Sequence, residues 1–198
     1  MNDRYVSPPD ITEKRFEEWL EVIEGENALA VVRFLDDGDH RELLAQSPGS
    51  RGAHHAWEGG YCEHLRQTMM IAAHTFELFE RTGRFNELPE SEQFSLSDAL
   101  TVMFLHDIEK PFVYSIDSTG TIHHNIPMSK QDRKAFRAAL IEKYGFSLTS
   151  TMANALTYVE GERDIDYTPG NRAEQPLASL CQVADNLSAR GFYDHGRT

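Results

Sequence analysis

A histidine and an aspartate stand side by side, His106-Asp107, at the end of the apolar run Leu100-Thr101-Val102-Met103-Phe104-Leu105. Both are costly to bury, and they sit where a core helix should stay apolar, so something has to compensate for their burial. A divalent metal ion is the most economical compensation, because imidazole nitrogen and carboxylate oxygen are both its ligands. Three other segments can supply partners: His54-His55 and His64 upstream, His123-His124 just downstream, and Asp185 near the C-terminus. Adjacent residues on a helix point about 100° apart. The pair therefore reaches one ion only in a groove between helices, and helices starting near His64 and Gln175 can form the other walls. In the last of these, Leu177, Leu180, Cys181, Ala184, Leu187 and Ser188 form a mainly apolar stripe, and Asp185 lies beside it. Two histidines and two aspartates suit Mn, Fe, Ni, Co or Zn better than Ca.

The elements that must position these residues are mostly helical. After an extended lead-in with Ser7-Pro8-Pro9, Asp10 reads as the N-cap of a helix over roughly 11–24, with Ile11, Phe16, Leu20 and Ile23 on one face. Short helices over Ala28–Leu35 and near His40–Ala45 follow, then a loop over Gln46–Gly52. From Glu63 to about Arg81, Leu65, Met69, Ala72, Ala73, Phe76 and Phe79 recur at helical spacing, and Gly83 closes the run. Ser97 is expected to cap the next helix, from Asp98 to about Glu109, with Pro111 as its stop. Residues 112–123 carry the one β signal, a hairpin about Asp117-Ser118-Thr119-Gly120. Helices resume near Lys130–Tyr144, Thr149–Val159 and Gln175–Arg190. The fold class expected is all-α, a helical bundle with one small β-hairpin, in a single domain.

Composition bounds the function. The 198 residues suffice for one domain with a real core. No run approaches a membrane span, and the polar start MNDRYVSPPD is no signal peptide. Two isolated cysteines, Cys62 and Cys181, give no disulfide framework and read as small buried hydrophobes, with a reducing cytoplasm as the default compartment. A net charge of −13 disfavours sequence-independent binding to nucleic acid, which needs a basic surface. It leaves room for a small phosphate ester held by a metal and a few local cations.

Three stretches resemble the HD-domain superfamily of metal-dependent phosphohydrolases. His54-His55-Ala56-Trp57-Glu58-Gly59-Gly60-Tyr61-Cys62-Glu63-His64 resembles the family's HHxxxGGxxEH opening. Leu105-His106-Asp107-Ile108-Glu109-Lys110 resembles its LHDIGK signature, and Ala184-Asp185-Asn186-Leu187-Ser188-Ala189-Arg190 its closing AD-x-L-S-A helix. The motifs fall in the family's order from about Ala53 to Arg190, roughly two-thirds of the 198 residues, which leaves 1–52 as an N-terminal helical extension packed on that core. The resemblance implies an all-α HD fold and a divalent transition metal held by His64, His106, Asp107 and Asp185. It further implies hydrolysis of a phosphate ester, mostly of nucleotides, by a metal-activated water with no protein nucleophile. One residue departs from the pattern. Glu109 stands where the family usually has Gly, and it can prolong the helix, narrow the pocket or repel a polyanion.

Around that set, further residues are candidates. Asp107 is the expected catalytic carboxylate, and His124 a proton donor to the leaving group. His123 or His124 would bring a second metal if either enters the site. His55, Lys110, His123, Arg172 and Arg190 are candidate contacts to the substrate phosphate, against ordinary readings as loop, helix-end or ion-paired residues. Gly59-Gly60 reads as a tight turn that lets the next helix start close to its neighbours. His40, His74 and His195 read as structural or surface residues, and Trp57 as a loop anchor or a stacking platform. The expected partner is a small phosphorylated substrate, probed against two rivals: a phosphodiesterase or exonuclease on RNA or single-stranded DNA, and a non-catalytic nucleotide sensor. The apolar helix near Ala28–Leu35 is either core or a surface that pairs with a second copy.

Overall fold

A computed structural model describes residues 14–162 and 173–191. Asp10, Arg172 and His195 lie outside the described residues. The chain is mostly helical with one two-stranded antiparallel sheet. In order, the elements are α1 (Phe16–Leu20), α2 (Gly25–Leu35), α3 (His40–Gln46), α4 (Gly60–Arg81), α5 (Leu96–Leu105), α6 (Lys110–Val113), β1 (Tyr114–Ile116), β2 (Ile122–His124), α7 (Lys130–Tyr144), α8 (Ser150–Tyr158) and α9 (Pro176–Arg190). Two short 3₁₀ turns, Arg84–Glu87 and Glu90–Glu92, join α4 to α5.

Helix α4 is the spine, packed on α9 and α5 and flanked by α1 and α3. Its inner face buries Tyr61, Leu65, Met69 and Ala72, with His64 on the same face one turn from the start. Helix α9 closes over it with Leu177, Leu180, Cys181, Ala184 and Ser188. Leu187, expected in that stripe, is instead 43% exposed. Phe16, Trp19, Phe34 and Leu44 belong to the same continuous hydrophobic cluster as α4, α5, α8 and α9. The fully buried Phe34 of α2 meets Phe104 and Tyr144 edge-on, at ring-centroid distances of 5.6 and 5.1 Å.

Several boundaries differ from the sequence expectation for identifiable reasons. Among the described residues the first helix covers Phe16–Leu20, and a separate α2 begins at Gly25, at φ +64°. Ser95, not Ser97, caps α5: its hydroxyl accepts from Asp98 N–H at 3.1 Å while its own N–H donates to the Asp98 carboxylate at 2.8 Å. Ser97 Oγ accepts from Glu24 N–H at 2.9 Å and so ties α2 to α5. Helix α5 is buried at every position from Ala99 to Leu105 and ends at Leu105, not near Glu109. A turn over 106–109 follows, and Pro111 occupies the first turn of α6, where its missing N–H costs nothing. Proline begins a helix here instead of stopping one. The hairpin pairs Tyr114 with His124, Ser115 with His123 and Ile116 with Ile122. Helices α7 and α8 start at Ser129 and Thr149, whose hydroxyls accept from Asp132 and Met152 N–H at 3.1 Å.

Candidate metal centre

The break after Leu105 is what makes the centre. On a continuing helix His106 and Asp107 would diverge; the turn lets both face α4 and α9. Four acceptor atoms meet there. His64 Nε2 lies 3.2 Å from His106 Nε2, 3.5 Å from Asp107 Oδ2 and 3.3 Å from Asp185 Oδ1. His106 Nε2 lies 3.2 Å from Asp107 Oδ2 and 3.7 Å from Asp185 Oδ1. His64, His106 and Asp185 form a group able to hold a metal ion. Both histidines are buried, while Asp107 and Asp185 keep a partly open edge.

The second ring nitrogens fix which lone pairs converge. His106 Nδ1–H donates to the Met103 carbonyl at 2.7 Å, and His64 Nδ1–H to Ser188 Oγ at 2.9 Å. Each Nε2 is thereby turned toward the other and toward two carboxylates. Such a gathering of acceptors requires a cation. Ligands about 2.1 Å from one ion stand roughly 3.0–3.4 Å apart, close to the separations found. The donor set thus fits a divalent transition metal.

Without an ion, a proton serves. Burial works to lower the His106 pKa, but Asp107 and Asp185 overcome it and push it up to about 10. Burial equally opposes ionisation of Asp107, and Lys110 and His106 overcome it, holding the carboxyl well below the usual range. Asp185 is likewise lowered by His106 and His64 against its burial. Lys110 Nζ donates to Asp107 Oδ2. Burial would lower the Lys110 pKa, but Asp107 keeps it raised and the ammonium charged.

The centre opens on a cavity of about 270 Å³. His106, Asp107 and Asp185 form its floor, and five cations line it: Lys110, Lys130, Arg133, Lys134 and Arg137. Four of these come from α7 at positions i, i+3, i+4 and i+7, one face of the helix. Arg137 donates to the His106 carbonyl, Arg133 donates to Tyr114 Oη at 3.4 Å, and Lys130 pairs with Glu160. In a chain of net charge −13, these cations share the cavity lining with the carboxylates Asp107, Glu109, Glu160 and Asp185. The stripe was missed in the sequence reading, although its spacing was legible there as four cations on one face of a helix.

Glu109 also lines the cavity. It does not prolong α5, because it lies in the turn before α6. It is 5% exposed, its Oε2 has no hydrogen-bond partner, and burial and the charge of Asp107 raise its pKa.

The other candidate residues divide. Lys110 is in the cavity. Arg190 lines an adjoining cleft with Gly52, Ala53, His54, Glu160 and Asp185, beside the centre and not within it. His55 does not face the cavity. It is fully buried at φ +54°, and its Nε2 bonds Gln67 Oε1 at 3.1 Å. His54, its neighbour in the same segment, lines the cavity instead. Burial holds both rings neutral, lowering the pKa to about 3 for His54 and about 4 for His55. The hairpin register places His123 and His124 on exposed β2 positions. His123 Nε2 pairs with Asp117 Oδ2 at 2.7 Å, and His124 meets the Tyr114 ring edge-on at 4.9 Å. Neither lines the cavity, so the roles foreseen for them, a second-metal ligand, a phosphate contact and a proton donor, are not brought together with the centre.

The Gly59-Gly60 turn explains how His54 and His64 meet. Gly59 has φ +77°, and a Cβ on Gly60 would sit 2.1 Å from the His55 carbonyl oxygen. Only glycine lets the loop fold this tightly onto the start of α4. No family model, curated protein or solved structure matches the chain. No helix among the described residues is long and apolar enough to cross a membrane.

Proposed function

We propose that the protein is a metal-dependent phosphohydrolase that cleaves a phosphate ester of a small substrate, a nucleotide, by a metal-activated water. One observation carries this reading: a cluster of two histidines and two aspartates opens on a cavity lined by five cations, in a chain whose net charge is −13. The anion-binding wall and the ligand cluster share one cavity, as a phosphate ester held for hydrolysis needs.

A divalent ion held by His64, His106, Asp107 and Asp185 would supply a Lewis acid and a water acidic enough to act near neutral pH. The chain supplies the rest. Lys110 and the α7 cations bind phosphoryl oxygens and offset the charge that grows on them, each such contact contributing about 1.5–3 kcal/mol. Lys110 also holds the Asp107 carboxylate in place through its ion pair. Glu109 narrows the floor and sets a limit on how deep an anion reaches. The cations gathered on one helix face suit a compact anion more than a polymer backbone.

The test is a phosphate-release screen over nucleotides with Mn, Fe, Ni, Co, Zn and Mg each added. Release from one nucleotide class, dependent on the ion and abolished by Asp185→Ala, is the expected result. Turnover on RNA or single-stranded DNA alone would favour the exonuclease. Bound metal with tight nucleotide binding and no turnover would favour the sensor.

A further inference from the structure

Behind the candidate metal centre lies a largely buried chain of hydrogen bonds that leads to His64 on one side and His54 on the other. Gln67, one turn beyond His64 on α4, is its hub. The Gln67 amide nitrogen donates to Glu63 Oε1 at 2.9 Å, and Arg66 pins the same carboxylate at 2.8 and 2.7 Å. That bond fixes which way the amide faces. Its oxygen, which can only accept, points inward and takes two donors: Ser188 Oγ at 3.0 Å and His55 Nε2 at 3.1 Å.

The two branches then follow by counting protons. On the first, Ser188 has spent its single hydroxyl proton on Gln67. It can only accept from His64, so His64 carries its proton on Nδ1 and presents a bare Nε2 to the ion. On the second, a neutral imidazole has one N–H, and His55 has spent it on Gln67. Its Nδ1 must accept, and the neighbour 3.0 Å away is His54 Nδ1. His54 therefore carries its proton on Nδ1, and its Nε2 is left bare on a residue that lines the cavity. Gln67, Ser188, His55 and His64 are all buried, so water does not rescue a wrong tautomer. The left-handed backbone of His55 is the cost of turning its ring inward to meet Gln67.

We propose that Gln67 is a positioning residue that sets the tautomers of His64, His55 and His54 together. One amide orientation thereby gives the ion its nitrogen lone pair and gives the cavity wall a hydrogen-bond acceptor at His54. Beside the α7 cations, that acceptor is placed to recognise a hydroxyl or a water next to the anion. The relay follows from the hydrogen bonds alone and stands whether or not the protein hydrolyses phosphate esters.

Long-range proton–nitrogen NMR on ¹⁵N-histidine-labelled, metal-free protein reads the tautomers directly. The expected pattern is Nδ1–H for His54, Nε2–H for His55 and Nδ1–H for His64. Gln67→Met removes the acceptor with little change of volume, and all three should become mixtures of tautomers. Ser188→Ala cuts one branch, so only His64 should change. His40, whose Nδ1 donates to the Phe34 carbonyl at 2.8 Å away from the relay, reports that each variant is folded. Zinc affinity should fall 10–100-fold in both variants, the usual effect of losing a partner behind a metal-bound histidine. If Gln67→Met does not fold, Ser188→Ala alone decides the His64 branch, and the wild-type spectrum decides the other. Wild-type His54 protonated on Nε2 would overturn the relay and mark the facing His54 and His55 Nδ1 atoms as a second ion site. Unchanged tautomers in a folded Gln67→Met or Ser188→Ala variant would overturn it equally.

Discussion

The proposed metal ion and a proton would compete for one atom, His106 Nε2, and the competition can be measured. Asp107 and Asp185 lie 3.2 and 3.7 Å from that nitrogen and, against the effect of burial, raise the His106 pKa to about 10. At pH 7 the metal-free protein therefore holds the proton. An incoming ion must expel it. Binding should release about one proton per ion, and the apparent affinity should rise about tenfold per pH unit between pH 7 and the folded pKa. The sign for stability follows. The folded pKa lies above the unfolded value of about 6.5, so this histidine's contribution is fully present below pH 6.5. It is lost as the pH climbs toward 10, at about 1.4 kcal/mol per pH unit. The assay is calorimetric titration with Mn or Ni at pH 7.0 and 8.0, in two buffers of different ionisation enthalpy. Urea unfolding of the metal-free protein over the same range is the companion measurement. A dissociation constant that does not move with pH, together with no proton release, would refute the reasoning.

Three further outcomes follow from the geometry. Lys110→Met should keep the ion, because it is no ligand, and lower kcat/KM 10–100-fold in steady-state phosphate release by removing one charged contact. The double variant Arg133→Gln, Lys134→Gln should raise KM about tenfold or more and flatten its dependence on salt, with the melting temperature nearly unchanged. Gly60→Ala should destabilise the fold by about 1–3 kcal/mol in urea, since its Cβ would strike the His55 carbonyl at 2.1 Å. It should also weaken zinc binding by displacing the turn that seats α4.

Much of the site was legible in the sequence because its ligands are costly to bury. His106-Asp107 after an apolar run, His64 early in a periodic helix and Asp185 beside an apolar stripe each break a pattern, and a broken pattern is visible in one dimension. The helices were legible for the same reason, and α7 and α9 fall within a residue of expectation. What failed depended on tertiary neighbours. Ser97 looks as good a cap as Ser95, but α2 claims it. Pro111 looks like a stop until the turn over 106–109 shows that the chain has already left α5. His54 and His55 are identical by composition. Only the left-handed backbone at His55 and the position of Gln67 decide which one is buried and which one lines the cavity. The α7 cations stand at helical spacing in the sequence, but only the packing of α7 decides that this face lines the cavity. His123 and His124 looked like ligands because they are paired histidines, and the hairpin register turned them toward Asp117 and Tyr114.

The central claim is that His64, His106, Asp107 and Asp185 hold one divalent metal ion. Elemental analysis of the purified protein beside His106→Ala and Asp185→Ala, each confirmed folded by circular dichroism, tests it most directly. About one transition-metal ion per chain in the parent protein, lost in both variants, is the predicted result. A parent protein that takes up no ion after incubation with Mn, Fe, Ni, Co or Zn would contradict the account, as would an ion retained in full by both variants.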